Sequence, residues 1–166
     1  MKNPIASLIS YLGDALARSL ADRRSGNDPA RVGAQAAKKF SLKVDYLAAQ
    51  RVVKITTRGI LTLEANNELV AAAVAAGAQF DTNLFLVDDR NIELAMDIVN
   101  IYDLPEHNSQ LGIMRNFRVA LVFTPTQRNS ELFKFYEDRV VITDFQQRVF
   151  TDEPAALMWL MEGQKA

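Results

Sequence analysis

The chain has 166 residues, an ordinary length for one domain, and 49% hydrophobic residues supply a core without a staple. It has no cysteine and one histidine, His107, which excludes disulfide scaffolds, thiolate–zinc and iron–sulfur sites, cysteine nucleophiles and multi-histidine metal centres. A net charge of −1 with 23% charged residues excludes both an acidic disordered chain and a globally basic nucleic-acid binder.

The charge is uneven along the chain. Residues 1–43 carry eight basic side chains against Asp14, Asp22 and Asp28, a local excess of +5, and the remainder is at −6. Within that basic segment Ile5, Leu8, Ile9, Leu12, Leu16 and Leu20 recur in steps of three and four, the spacing of one apolar stripe on a helix, and Pro4 suits its first turn. Charge, Gly26, Asn27 and Pro29 then mark a helix end and linker. A short Ala-rich helix is expected over residues 29–39.

The stripe is interrupted by Ser7, Ser10, Gly13 and Asp14, which leaves it short of the ~20 apolar residues of a membrane span and unlike a secretory signal. It is expected to pack on the main domain or on a second copy, giving a homo-oligomer through this helix. A membrane-surface helix is the less favoured alternative. Almost no aromatics are interleaved with the basic residues, so no nucleic-acid partner is expected.

From Ser41 the pattern changes to alternating strand and helix. Residues 42–47 and 51–58 flank a short Ala48-Ala49-Gln50 link and predict a β-hairpin, with Gly59 ending the second strand. Thr62 is placed to cap a helix over residues 63–76, closed by Gly77. Residues 84–87 form a continuous apolar run, a buried parallel strand by type, ending at Asp88-Asp89. Ile92, Leu94, Ala95, Ile98, Val99 and Tyr102 follow helical spacing up to Leu104-Pro105. A second buried strand is expected over residues 117–123, then a helix bearing Leu132, Phe133, Phe135 and Tyr136. A last strand starts near Asp144 and ends at Phe150. Thr151-Asp152-Glu153-Pro154 opens a final helix through Ala156, Leu157, Trp159 and Leu160, closed by Gly163. The order ββαβαβαβα predicts an α/β fold with a mixed, mainly parallel sheet of about five strands and about four helices, behind an N-terminal helical extension.

Chemistry-bearing motifs are sparse. Asp88-Asp89 at a strand end is the arrangement of an acidic Mg²⁺ pocket in receiver domains, but the later strands end in Val122-Phe123-Thr124-Pro125 and Phe150-Thr151, without the Asp and Lys such a pocket needs. The pair is therefore read as capping the following helix. His107 sits in Pro105-Glu106-His107-Asn108-Ser109, a loop by composition, and no nucleophile elbow exists to recruit it. Neither glycine-rich phosphate motif occurs. Arg115 and Arg118 beside Phe117 read as solvated charge rather than an anion site. Phe133, Tyr136 and Trp159 are candidates for lining a small apolar pocket, although aromatics at helical spacing usually build core.

These strands carry a resemblance. Arg51-Val-Val-Lys-Ile-Thr-Thr-Arg-Gly59, Leu84-Phe-Leu-Val-Asp-Asp89, Arg118-Val-Ala-Leu-Val-Phe123 and Arg148-Val-Phe-Thr-Asp-Glu-Pro-Ala-Ala-Leu-Met-Trp-Leu160 together resemble a SpoIIAA-like, STAS-type domain, the fold of bacterial anti-sigma-factor antagonists. The C-terminal stretch is most similar to an uncharacterised branch. The resemblance covers residues 42–163. Phosphorylatable members carry an Asp-Ser-Ser-Gly-like turn after the central strand. Here the matching residues are 91–97, Ala95 stands near the serine's place, and no Ser, Thr or Tyr lies between Asp89 and Tyr102. The resemblance thus implies a bacterial, cytoplasmic, non-enzymatic regulatory module that binds a protein partner without a phosphoserine switch. Its partner surface is expected at Asp88, Asp89, Arg90, Asn91 and Asp97. No cofactor or metal is expected. The alternative is a carrier of a small apolar ligand or lipid. Residues 1–41 are assigned to the extension and 42–166 to the domain.

Overall fold

The computed structural model describes residues 39–164, which lie in one unit, Ala37–Ala166. The apolar stripe of residues 5–20 and its linker lie outside the described residues.

Two antiparallel strands open the unit, β1 (Ser41–Leu47) and β2 (Val52–Leu61). The turn between them places Arg51 at φ 56, which lets the chain reverse. There follow α1 (Leu63–Phe80), β3 (Leu84–Leu94), α2 (Ile98–Gln110), β4 (Arg118–Val122), α3 (Gln127–Thr143), β5 (Gln146–Phe150) and α4 (Glu153–Glu162). The sheet order is β1-β2-β3-β4-β5, and β2 to β5 are parallel. Consecutive parallel strands joined by crossovers of one hand carry their connecting helices on one face. That face holds α1, α2 and α3, which leaves the other for α4.

Strand alternation sorts the core accordingly. Val53, Ile55, Phe85, Val87 and Val119 meet Leu69, Val70, Ala73 and Ala76 of α1. The intervening Val52, Leu84, Leu86, Ala120 and Val122 meet Ala156 and Leu160 of α4. Each valine, leucine, isoleucine or phenylalanine among them, fully buried, contributes roughly 1.5–3 kcal/mol. Both faces of the central strands are covered, which is why their sequences read as unbroken apolar runs.

Four expectations about element ends are corrected. Gly59 does not end β2: it sits within the strand at φ 96, just past a register shift between Thr56 and Arg58, a place where a bulge asks for glycine. Gly77 does not close α1. The helix runs on to Phe80 and Asp81 takes the left-handed position at φ 48, while Gly77 lets the helix approach Phe85, whose Cζ lies 2.8 Å from where a Cβ would stand. β3 does not stop at Asp88-Asp89. It pairs with β2 through Leu94, so Ile92 and Leu94 belong to a strand rather than a helix. Pro105 does not stop α2. It is fully buried inside the helix, where tertiary packing outweighs the lost backbone hydrogen bond, and buried Asn108, further along the helix, accepts from Asn66 Nδ2 of α1 at 2.8 Å. His107 is therefore helical, with Nε2 2.7 Å from Asn67 Oδ1.

Candidate functional site

β4 pairs with β3 only as far as Asp88 opposite Val122, whereas β2 accompanies β3 to Leu94. Beyond Asp88 the central strand therefore overhangs its neighbour. In the same place Thr56 pairs with Asp88 and Arg58 with Asn91, so Asp89 and Arg90 together oppose Thr57. This bulge redirects the side chains that follow it.

Asp88 and Asp89 point to opposite faces of the sheet. On the α4 side, Asp88 is 5% exposed and receives Arg90 in a two-pronged pair, Nε to Oδ1 at 2.7 Å and Nη2 to Oδ2 at 2.6 Å. Arg90 Nη2 also donates to Glu153 Oε2 at 3.0 Å, and Lys54 Nζ donates to Glu153 Oε1 at 2.7 Å. The Arg90 guanidinium holds the Asp88 carboxyl below its ordinary range. The chain Lys54–Glu153–Arg90–Asp88 ties the first residue of α4 to the middle of β3.

On the other face Asp89, also 5% exposed, accepts from Thr57 Oγ1 at 2.5 Å. Burial among apolar groups pushes its carboxyl up to about 6, opposed by the Thr57 hydroxyl and reinforced by the nearby charge of Asp88. Asp89 lines a cavity of about 80 Å³ between the sheet and α1, α2 and α3, together with Asn66, Asn108, Phe133, Tyr136 and Gln147. The Tyr136 hydroxyl donates to Gln147 Oε1. Burial holds Tyr136 protonated.

This geometry corrects the reading of the acidic pair as a helix cap. The cap of α2 is Asp97, whose Oδ1 accepts from Asn100 N at 2.8 Å. Two carboxylates on opposite faces of one strand also cannot share an ion. The expected partner surface is divided by depth: Arg90, Asn91 and Asp97 are exposed, whereas Asp88 and Asp89 are buried beneath them. An open cleft beside them is lined by Lys39, Arg58, Asn91 and Glu93. The expected pocket aromatics are divided too. Phe133 and Tyr136 line the cavity, but Trp159 packs on the opposite face with Phe150, and the Arg118 guanidinium lies 3.8 Å from its ring centroid.

Sequence reasoning missed Thr57, Lys54, Glu153 and the Asn66–Asn108 pair. Strand alternation offered one usable signal: adjacent residues within a strand face apart, so Asp88 and Asp89 had to have different partners once β3 continued past them.

No protein-family description matches the chain, and no curated protein matches it. Solved structures do. The chain is similar to an anti-sigma factor antagonist from Mycobacterium paratuberculosis, at 14% identity over 76% of this chain and 98% of that one, with a TM-score of 0.52. It is likewise similar to an uncharacterized protein with a SpoIIAA-like fold from Shewanella loihica, at 16% identity over 76% and 98%, with a TM-score of 0.50. Five strands, four helices and the mixed, mainly parallel sheet of residues 39–164 are thus the SpoIIAA-like, STAS-type fold.

Proposed function

We propose that this chain is a non-enzymatic regulatory module that binds a protein partner through the overhanging end of β3 and the connection into α2, without a phosphoserine switch. The observation that carries this reading is the overhang itself. It presents Arg90, Asn91 and Glu93 to solvent on a strand segment that β4 leaves unpaired. Arg90 is pre-oriented by Asp88 and Glu153, so little side-chain entropy is lost when it meets a partner's carboxylate. The fold shared with an anti-sigma factor antagonist supports a role in binding rather than catalysis. So does the use of both candidate acids, Asp88 and Asp89, in internal hydrogen bonds. No helix among the described residues is long and apolar enough to cross a membrane.

The test is affinity capture from native lysate with the wild type and with an Asn91→Arg/Glu93→Lys double variant of matched melting temperature. Both positions are exposed, so the variant should fold normally. A protein held by the wild type and released by the variant supports the reading. Equal capture by both places the partner elsewhere and overturns the assignment of this surface.

A further inference from the structure

The five-stranded sheet has two edges, and they differ. At β5 the backbone N–H of Val149 donates to Glu137 Oε1 at 3.1 Å, and Arg148 Nε lies 4.0 Å from the same oxygen. A side chain of α3 thus occupies the bonding position that a further strand would need. Among the described residues no strand flanks β1 on its outer side, and no side chain hydrogen-bonds to its backbone. An open edge of this kind is a template for pairing, and the side chains along it decide with what.

Strand alternation divides β1 by face. Leu42, Val44 and Tyr46 lie opposite Thr57, Ile55 and Val53 of β2 and share the face of α1. Val44 is 36% exposed, and half-buried Tyr46 stacks on Phe80 with ring centroids 4.3 Å apart, so this face is apolar out to the edge. Lys43 and Asp45 lie on the other face, with Nζ 2.9 Å from Oδ1 and side chains 74% and 39% exposed. A lone lysine blunts an edge against pairing. A lysine and an aspartate placed symmetrically about Val44 are instead self-complementary. When two such strands run antiparallel with Val44 opposite Val44, each Lys43 meets the other copy's Asp45 and each Leu42 meets the other's Tyr46. A slide of two residues sets Lys43 against Lys43 or Asp45 against Asp45. A slide of one turns the second copy over and sets its charged face against the apolar one. An in-register parallel pair brings like charges together.

We propose that β1 docks a second copy of this chain, the two β1 strands pairing antiparallel about a two-fold axis at Val44 and joining their sheets into one. The contact is isologous and closes at two copies. It rests on one short strand from each side, so the dimer is weak and dissociates on dilution. Both copies keep α1, α2 and α3 on the same side of the joined sheet. The overhang of β3 stays open, because it faces the β4 side of the sheet while β1 lies beyond β2. The dimer therefore presents the surface around Arg90 twice. The pairing itself stands whether or not that surface binds a partner.

The experiment follows the full chain by sedimentation velocity from micromolar to millimolar concentration. The wild type is expected to shift from monomer to dimer across that range. Lys43→Asp and Asp45→Lys, made singly, set like charges opposite each other on both sides of the axis, and each should raise the dissociation constant about tenfold or more. The double variant Lys43→Asp/Asp45→Lys exchanges the charges and should return it to within about threefold of the wild type. An equimolar mixture of the two single variants should also dimerise, acidic strand on basic strand. Both side chains are exposed, and matched melting temperatures check that every variant is folded. The chain has no cysteine, so Val44→Cys introduces a single thiol. On the two-fold axis it should form a disulfide-linked dimer under mild oxidation, whereas Ser41→Cys, opposite Leu47, should not. A monomer at millimolar concentration, an assembly larger than two, a dimer indifferent to the single reversals, a loss that the double variant does not restore, or equal cross-linking at both cysteine positions would each overturn the proposal.

Discussion

At the scale of single residues, Asp88 and Asp89 show how neighbours with the same carboxylate come to opposite electrostatic ends. Arg90 stabilises the charged form of Asp88, while burial disfavours the charged form of Asp89. Their contributions to stability run in opposite directions with pH. Asp88 contributes above the ordinary carboxylate value of 3.8, and that contribution is lost as pH falls through its lowered value. Asp89 has its value raised to about 6, so the folded state binds the proton more tightly than the unfolded state does. Stability therefore falls as pH rises from about 4 through about 6 and stays lower above. Asp89→Asn removes that cost, and its amide oxygen still accepts from Thr57. The variant should be more stable than the wild type at pH 8, by on the order of 2–3 kcal/mol, with the gap closing by pH 4. Urea unfolding across that range checks it, and a gap that widens toward acid would contradict the assignment. Gly77 is a second residue-scale case. A methyl there meets the Phe85 ring at 2.8 Å and the Thr82 carbonyl oxygen at 3.1 Å. Overpacking costs about 1–3 kcal/mol and the gain in helix propensity returns at most about 1, so Gly77→Ala should lower the urea midpoint.

At the scale of elements, the starts of the helices at Thr62 and Asp152 behaved as local chemistry predicts, while several element ends and lengths did not. Thr62, Thr126 and Asp152 each accept a hydrogen bond from the backbone of the first helical turn that follows them, and Asp97 does the same for α2. Thr62→Ala should cost about 1 kcal/mol in thermal or chemical unfolding, whereas Thr62→Ser should cost little. Element lengths depend on what lies alongside. β3 is eleven residues because β2 continues to pair with it, and α2 runs past Pro105 because its buried face is held by α1 and α3. The connection from β3 to α2 also bears on the proposed function. Ala95 is exposed there, with its N–H on the Leu61 carbonyl oxygen, and residues 90–101 contain no hydroxyl side chain. A serine kinase of the anti-sigma type should leave this segment unmodified. Phosphate on Ser109 or Ser130, found by mass spectrometry, would establish a switch of a different kind.

At the scale of the whole molecule, residues 39–164 have two covered sheet faces and a core on each. This unit should fold without the basic segment. A fragment starting at residue 37 is expected to unfold cooperatively, with a melting temperature within a few degrees of the full chain. A molten or insoluble fragment would mean that the apolar stripe of residues 5–20 completes the core. A fragment that folds but loses self-association would assign that stripe to the contact between copies.

The sequence by itself determined the element order, the helix caps at Thr62 and Asp152, the parallel sheet and the layers it implies. Those follow from periodicity and from backbone groups that must be capped within a few residues. It also determined that no Ser, Thr or Tyr stands between Asp89 and Tyr102. Only the tertiary structure decided that β3 overhangs β4, that Trp159 lies on the far face from Phe133 and Tyr136, and that the two aspartates are separated by the sheet. Each of these depends on which strand pairs with which residue, and on partners such as Thr57 and Glu153 that lie tens of residues away in the chain. Burial and pairing over such distances are set when the layers close, and periodicity within one segment carries no record of them.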